Sequence, residues 1–186
     1  MEGLATDGSH VLVSASGNGA VALLGVDCSA ASSSMTVPTT AGAKRWTINA
    51  ASGARNASGG VAFDGTRYWL IYSETKLGVT DRRAVQAVST AGVPSATDVT
   101  LASAPFLRGA SDIPQPALFG SIAAGGGKTA VGYSFQPHAS SSYDVHYAEL
   151  TGAGSATGDQ TLLTGMQNFP APMIGFAGNG FLLARA

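Results

Sequence analysis

Charge is what this chain has least of. Of its 186 residues, 11% are Asp, Glu, Lys or Arg, and they leave a net charge of −1. Such a balance builds no field able to collect a polyanion, which excludes nucleic acid and anionic membrane surfaces as partners. Cysteine is nearly missing as well: Cys28 stands alone, so neither an intrachain disulfide nor a Cys-based zinc site can form. Cys28 is read as a small residue near a strand end rather than as a reactive thiol. No apolar run approaches the length of a membrane span, so membrane insertion is not expected. No signal peptide is read at the start, where Met1-Glu2-Gly3 leads straight into the first apolar run. Lysine is confined to Lys44, Lys76 and Lys128 while Ala, Gly, Ser and Thr abound, a composition closer to an exported β protein than to a cytosolic enzyme.

What the chain does have is a repeated pattern. VAFDGTRYWLIYSE (Val61 to Glu74) returns as LATDGSHVLVSAS (Leu4 to Ser16), IAAGGGKTAVGYSF (Ile122 to Phe135) and IGFAGNGFLLARA (Ile174 to Ala186). Each copy holds an apolar run, a tight Gly-containing turn and a second, more apolar run, the signature of a β-hairpin. Matching the turns gives spacings of 64 − 7 = 57, 125 − 64 = 61 and 177 − 125 = 52 residues, a period that with all-β content suggests propeller blades or another β array. Tyr68, Trp69, Leu70, Ile71 and Tyr72 are apolar or aromatic at both parities, so this strand is expected to be dry on two faces. Stacked blades provide that environment.

Two more strands follow each of the first three hairpins. AVALLGVDCS and KRWTINA complete the first unit; RRAVQAVSTAGV and DVTLAS (Asp98 to Ser103) the second; YAELTGAG and DQTLLTG (Asp159 to Gly165) the third. The predicted fold is therefore all-β: a β-propeller segment of about three and a half four-stranded antiparallel blades. The units span about residues 3–60, 61–121 and 122–173, with a half unit at 174–186.

Val61 to Ile71 and the Val88-Ser89-Thr90-Ala91-Gly92 turn resemble the tandem β-propeller repeats of secreted and surface proteins of bacteria, whose blades open on a VAFDGT-Y-LVVW strand pair. The resemblance runs over the whole chain and is strongest in the second unit. It implies a propeller and an extracytoplasmic location, secreted or at the cell surface. It implies no catalytic residue.

Several motifs mimic chemistry and are better explained by turns. GNGAVA (Gly17 to Ala22) lacks the helix a dinucleotide fingerprint needs, and GGGKT (Gly125 to Thr129) lacks the phosphate-loop spacing. Asp7 and Asp64 have no companions at Gly125 and Ala177 to build a calcium site. Ser141, His138 and Asp144 could form a triad only on paper, and Asn56-Ala57-Ser58 matches a glycosylation triplet of the kind that Ser-rich loops produce by chance. No metal, no cofactor and no catalytic residue is assigned.

Recognition is expected on the longer loops, 74–81, 103–121, 135–143 and 165–173, which an up-and-down blade sends to one face. Their candidate contact residues for a protein or glycan ligand are Phe106, Arg108, Asp112, His138, Tyr143 and Phe169. Phe181, Leu182 and Leu183 form an uncovered edge of the half unit, to be completed by another chain or a second copy of this one. The function expected is binding or assembly within a larger surface protein or complex. Two alternatives stand beside it: a glycan-active hydrolase or lyase with its site at the axis of the completed propeller, which the placing of Asp112, Asp144 and Glu149 on different parts of blades weakens, and a structural filament subunit.

Overall fold

In the computed structural model, residues 3–17, 20–27, 43–48, 54–76, 80–104, 120–135, 142–152, 155–166 and 172–185 are described. Their regular structure consists of fourteen strands. The first sheet comprises β1 (Gly3–Thr6), β2 (His10–Gly17), β3 (Ala20–Asp27) and β4 (Ala43–Ile48). The second comprises β5 (Ala54–Phe63), β6 (Tyr68–Lys76), β7 (Thr80–Val88) and β8 (Val99–Ala104). The third comprises β9 (Gly120–Gly125), β10 (Lys128–Phe135), β11 (Tyr143–Leu150) and β12 (Ala156–Met166). A two-stranded sheet of β13 (Pro172–Ala177) and β14 (Gly180–Arg185) follows. All pairs are antiparallel and the strands lie in chain order in every sheet, with no closure into a barrel.

The second unit departs from the sequence reading in two places. The sequence reading opens the second unit at Val61, whereas β5 begins at Ala54 and continues past a bulge at Gly59. The expected loop 74–81 is mostly strand, because Glu74 faces Arg82, Thr75 faces Asp81 and Lys76 faces Thr80 across the β6–β7 ladder.

The tight turns follow from Asp-Gly chemistry. Gly8 and Gly65 take φ of 97° and 100°, a region open to glycine at no steric cost. Ahead of Gly65, Asp64 Oδ1 accepts the backbone N–H groups of Thr66 (2.7 Å) and Arg67 (2.9 Å) and the Thr66 hydroxyl (2.8 Å), while Oδ2 accepts the Trp69 indole N–H at 2.7 Å. Asp7 Oδ1 accepts the N–H groups of Ser9 and His10, and its Oδ2 lies 2.9 Å from His10 Nδ1. Burial alone would raise both carboxyls, but these hydrogen bonds outweigh it and hold each below its ordinary value of 3.8. As pH falls through 4 the unfolded chain takes up these protons before the folded one does. The stability contributed by Asp7 and Asp64 is therefore present above that pH and lost below it. Urea midpoints measured between pH 7 and pH 2 should fall at the acid end, with a shallower fall for Asp64→Asn; an unchanged slope in that variant would remove Asp64 from the account.

The sheets stack face to face, and β6 shows how. Tyr68, Leu70 and Tyr72 point toward the first sheet and join Leu12, Val21, Leu23, Ile48, Val61, Ala84 and Val88 in one core. Trp69 and Ile71 point the other way and join Val85, Ile122, Val131, Tyr133, Phe135, Ala148 and Leu150 in a second. The five residues from Tyr68 to Tyr72 are each at most 3% exposed, as expected of a strand covered on both faces. The first strands of successive sheets also touch. A Cβ on Gly3 would stand 2.7 Å from Val61 N, a Cβ on Gly59 would stand 2.6 Å from the Gly120 carbonyl oxygen, and Ser121 Oγ bridges to Pro172 O and Ile174 N at 2.8 Å each. Small residues at these crossings let β1, β5, β9 and β13 run as close neighbours.

Candidate functional site

Phe106, Arg108, Asp112, His138 and Phe169 lie outside the described residues. Tyr143 does not sit on a loop surface: β11 begins with it, pairs it with Met166 and buries it to 2% exposure. Ser141 and His138 of the paper triad also lie outside the described residues. Asp144 and Glu149 stand near opposite ends of β11 and differ in strand parity, so they project from opposite faces. Both are occupied: Asp144 Oδ1 accepts the Gly165 N–H at 3.1 Å, and Glu149 pairs with Lys128 at 3.2 Å and accepts the Tyr147 hydroxyl at 3.1 Å. Among the described residues no group of His, Cys, Asp and Glu is placed to hold a metal ion. Asn56 of the glycosylation triplet is buried in β5 and donates to Ile48 O at 3.4 Å.

Two polar clusters repeat between sheets. Tyr72 donates to Asp98, and Tyr133 donates to Asp159 at 3.0 Å, each carboxylate lying 26 residues beyond its tyrosine. In the second sheet Arg82 forks onto Asp98 at 2.9 and 3.0 Å and lies 3.6 Å from Glu74. In the third, His146 stacks on Tyr133 with centroids 5.0 Å apart and reaches Asp159 at 3.4 Å. Burial first, then the adjoining carboxylate, pushes both tyrosine hydroxyls upward. Burial acts to raise Asp98 too, but the Arg82 and Tyr72 hydrogen bonds prevail and lower it. A repeated, internally satisfied pair that ties an inner strand to an outer one is a structural fastening.

A cavity of about 340 Å³ lies beside the β5–β6 turn, lined in part by Thr66, Arg67, Ser89, Thr90 and Ser95. Three of its hydroxyls serve the turns themselves: Thr66 donates to Asp64, Ser89 accepts from Val93 N–H at 3.1 Å, and Ser95 donates to Thr97 O at 2.7 Å. The Arg67 guanidinium lies over the Trp69 ring at 5.8 Å. These are contacts that stiffen a turn.

The surface that stands out is apolar and lies at the ends of the stack. Counting from the hairpin turns, Leu12, Trp69, Ala130 and Leu182 share one register position, pairing with Ala5, Ala62, Ala123 and Gly175. Leu12 is buried by the second sheet and Trp69 by the third. Leu182 is 68% exposed, and Met173 on the same face of β13–β14 is also open. Phe181 and Leu183 project the opposite way. Leu183 fills the space left by the missing Cβ of Gly132, while Phe181 packs against Phe176 and Tyr147. The expected edge trio thus divides, with Leu182 free and its neighbours partly covered. At the other end, Leu4 is exposed and Val13 half-buried on the outward face of the first sheet.

A second bare strip was missed in the sequence. Leu101 packs on the core between the second and third sheets; its counterpart is Leu162, since Asp98 and Asp159 occupy equal places ahead of the two leucines. Leu162 is 44% exposed and Leu163 is open beside it. The sequence reading gives DVTLAS and DQTLLTG equal places in their units, but only the stack of sheets shows that Leu162 lacks the cover that Leu101 has. No protein-family model, curated protein or solved structure matches this chain.

Proposed function

We propose that this chain is an arc of a β-propeller, three blades and an inner half blade, that acts by binding other protein and not by catalysis. Under the resemblance noted above it works outside the cytoplasm, within a larger surface protein or complex. The observation that carries the reading is Leu182, exposed at the register position where Leu12 and Trp69 are buried by a following sheet. Side-by-side first strands and sheets covered on both faces in the middle of the stack support a radial arrangement. The two ends differ, one presenting Leu4 and Val13 and the other Met173 and Leu182, so copies meeting end to end would form a head-to-tail contact. The separation of Asp144 from Glu149 weighs against a glycan-cleaving site among the described residues.

Sedimentation equilibrium tests this reading directly. The mass should rise above the 18.5 kDa of one chain as concentration increases, and Leu182→Glu should return it to that value without changing the fold. A chain that stays at one-chain mass at its highest soluble concentration would leave the end faces without the assembly role given them here.

A further inference from the structure

One position in the hairpins carries a base in three successive sheets. His10, Arg67 and Lys128 each stand two residues before Leu12, Trp69 and Ala130, which share a register position. Two of these bases have a carboxylate at hand: His10 Nδ1 lies 2.9 Å from Asp7 Oδ2, and Lys128 Nζ lies 3.2 Å from Glu149 Oε2. In the second sheet neither partner serves the base. Asp64, the counterpart of Asp7, accepts the Trp69 indole N–H on Oδ2 and the turn amides on Oδ1. The counterpart of Glu149 is Ala87, since Ala87 pairs with Trp69 as Glu149 pairs with Ala130. Among the described residues no carboxylate pairs with the Arg67 guanidinium.

Alanine in place of glutamate leaves room as well as charge. Arg67 and Ala87 both line the cavity of about 340 Å³ beside the β5–β6 turn. We infer that this cavity binds a single sugar ring bearing a carboxylate, a uronic acid, whose carboxylate pairs with Arg67 as Glu149 pairs with Lys128. The volume lies at the low end for small-molecule sites and suits one ring rather than a chain. A guanidinium takes a carboxylate through two parallel hydrogen bonds. Among the described lining residues Arg67 is the only ionised one, which matches a singly charged carboxylate better than a doubly charged phosphate. Thr90 adds a hydroxyl that bonds to no neighbour among the described residues, while Ala87 and the exposed Val93 offer apolar surface to the C–H face of a ring. The site is pre-formed. Stacking on Trp69 at 5.8 Å holds the guanidinium, and the facing loop is closed by Ser89 N–H to Val93 O at 2.9 Å and Gly92 N–H to Ser89 O at 2.7 Å. It stands apart from the end faces, so neither reading depends on the other.

Titration of the ¹⁵N-labelled full chain with D-glucuronate tests the site. The amides of Arg67, Ala87 and Thr90 should shift together and saturate, with a dissociation constant on the order of 1 mM for a single ring. D-Glucose, which keeps the ring and lacks the carboxylate, should bind at least about tenfold more weakly, and so should acetate, which keeps the carboxylate and lacks the ring. Arg67→Gln should abolish the shifts and leave the rest of the spectrum unchanged. Ala87→Glu should abolish them too, because it rebuilds the Lys128–Glu149 arrangement inside the cavity and gives Arg67 a partner from its own chain. Methyl β-D-glucuronide separates two sources of the sugar: affinity equal to that of the free acid assigns the end of a glycan, and loss of affinity assigns the free acid. Three results overturn the inference: no saturable shift at these amides, glucose or acetate binding as tightly as glucuronate, and glucuronate binding that survives Arg67→Gln or Ala87→Glu.

Discussion

Replacing Arg83 with alanine is expected to lower the unfolding free energy by about 3–5 kcal/mol, the usual cost of removing one partner of a buried ion pair. The Arg83 side chain is 2% exposed and its Nη1 donates to Asp81 Oδ1 at 2.7 Å. Its Nε donates to Ser134 O on the neighbouring sheet at 3.1 Å, and the guanidinium lies over the Phe135 ring at 5.7 Å. One side chain thus joins β7 to β10. Truncation leaves Asp81 buried with the Thr75 hydroxyl, 3.0 Å away, as its remaining side-chain donor, and opens a space between two sheets. The third sheet shows the apolar solution to the same position: Arg83 pairs with Ser73 as Val145 pairs with Ser134, and Val145 is fully buried. The double variant Asp81→Ala, Arg83→Val should accordingly recover much of the loss, because it removes both charges together. Equilibrium urea unfolding followed by tryptophan fluorescence measures each step. A cost below about 1 kcal/mol for Arg83→Ala would mean that the pair behaves like a solvent-exposed one.

Arg83 also marks where the sequence stopped being informative. The hairpins were legible because Asp7-Gly8, Asp64-Gly65 and the glycines at 126–127 admit few backbone paths, and because repetition fixed their register. Double-sided burial of β6 could be read from Tyr68 to Tyr72, where both parities are apolar. In β7 the same rule places Arg83 at the parity of Val85 and Ala87, on a face buried by the third sheet, yet an arginine there reads as solvent-facing until its partner is known. Asp81, two residues earlier on the same face, was available as that partner. The half-buried Tyr147 and exposed Leu162 were hidden for another reason. Tyr147 in β11 stands where β7 has Val85, and Leu162 in β12 where β8 has Leu101; what differs is the neighbour, which only the stack reveals. The recognition loops were placed by topology, and of their named residues only Tyr143 falls among those described, where strand pairing buries it.

Trp69 and Leu182 occupy equal positions in their hairpins, and their alanine variants should behave very differently. Trp69→Ala removes a buried indole packed between the second and third sheets together with its 2.7 Å hydrogen bond to Asp64, and should cost about 3–5 kcal/mol. Leu182→Ala, measured at a concentration where the chain is monomeric, should change stability by no more than about 0.5 kcal/mol, as at other exposed positions. The contrast bears chiefly on the neighbouring sheet, because the register position is shared and only the Trp69 bond to Asp64 is added on one side. Raising the chain concentration then separates folding from assembly: Trp69→Ala should cost about the same at every concentration, whereas the penalty for Leu182→Ala should grow as copies associate through that face. A cost above about 2 kcal/mol for Leu182→Ala in the monomer would mean that the outward face of β13–β14 is already covered within one chain, and the open end of the stack would have to be abandoned.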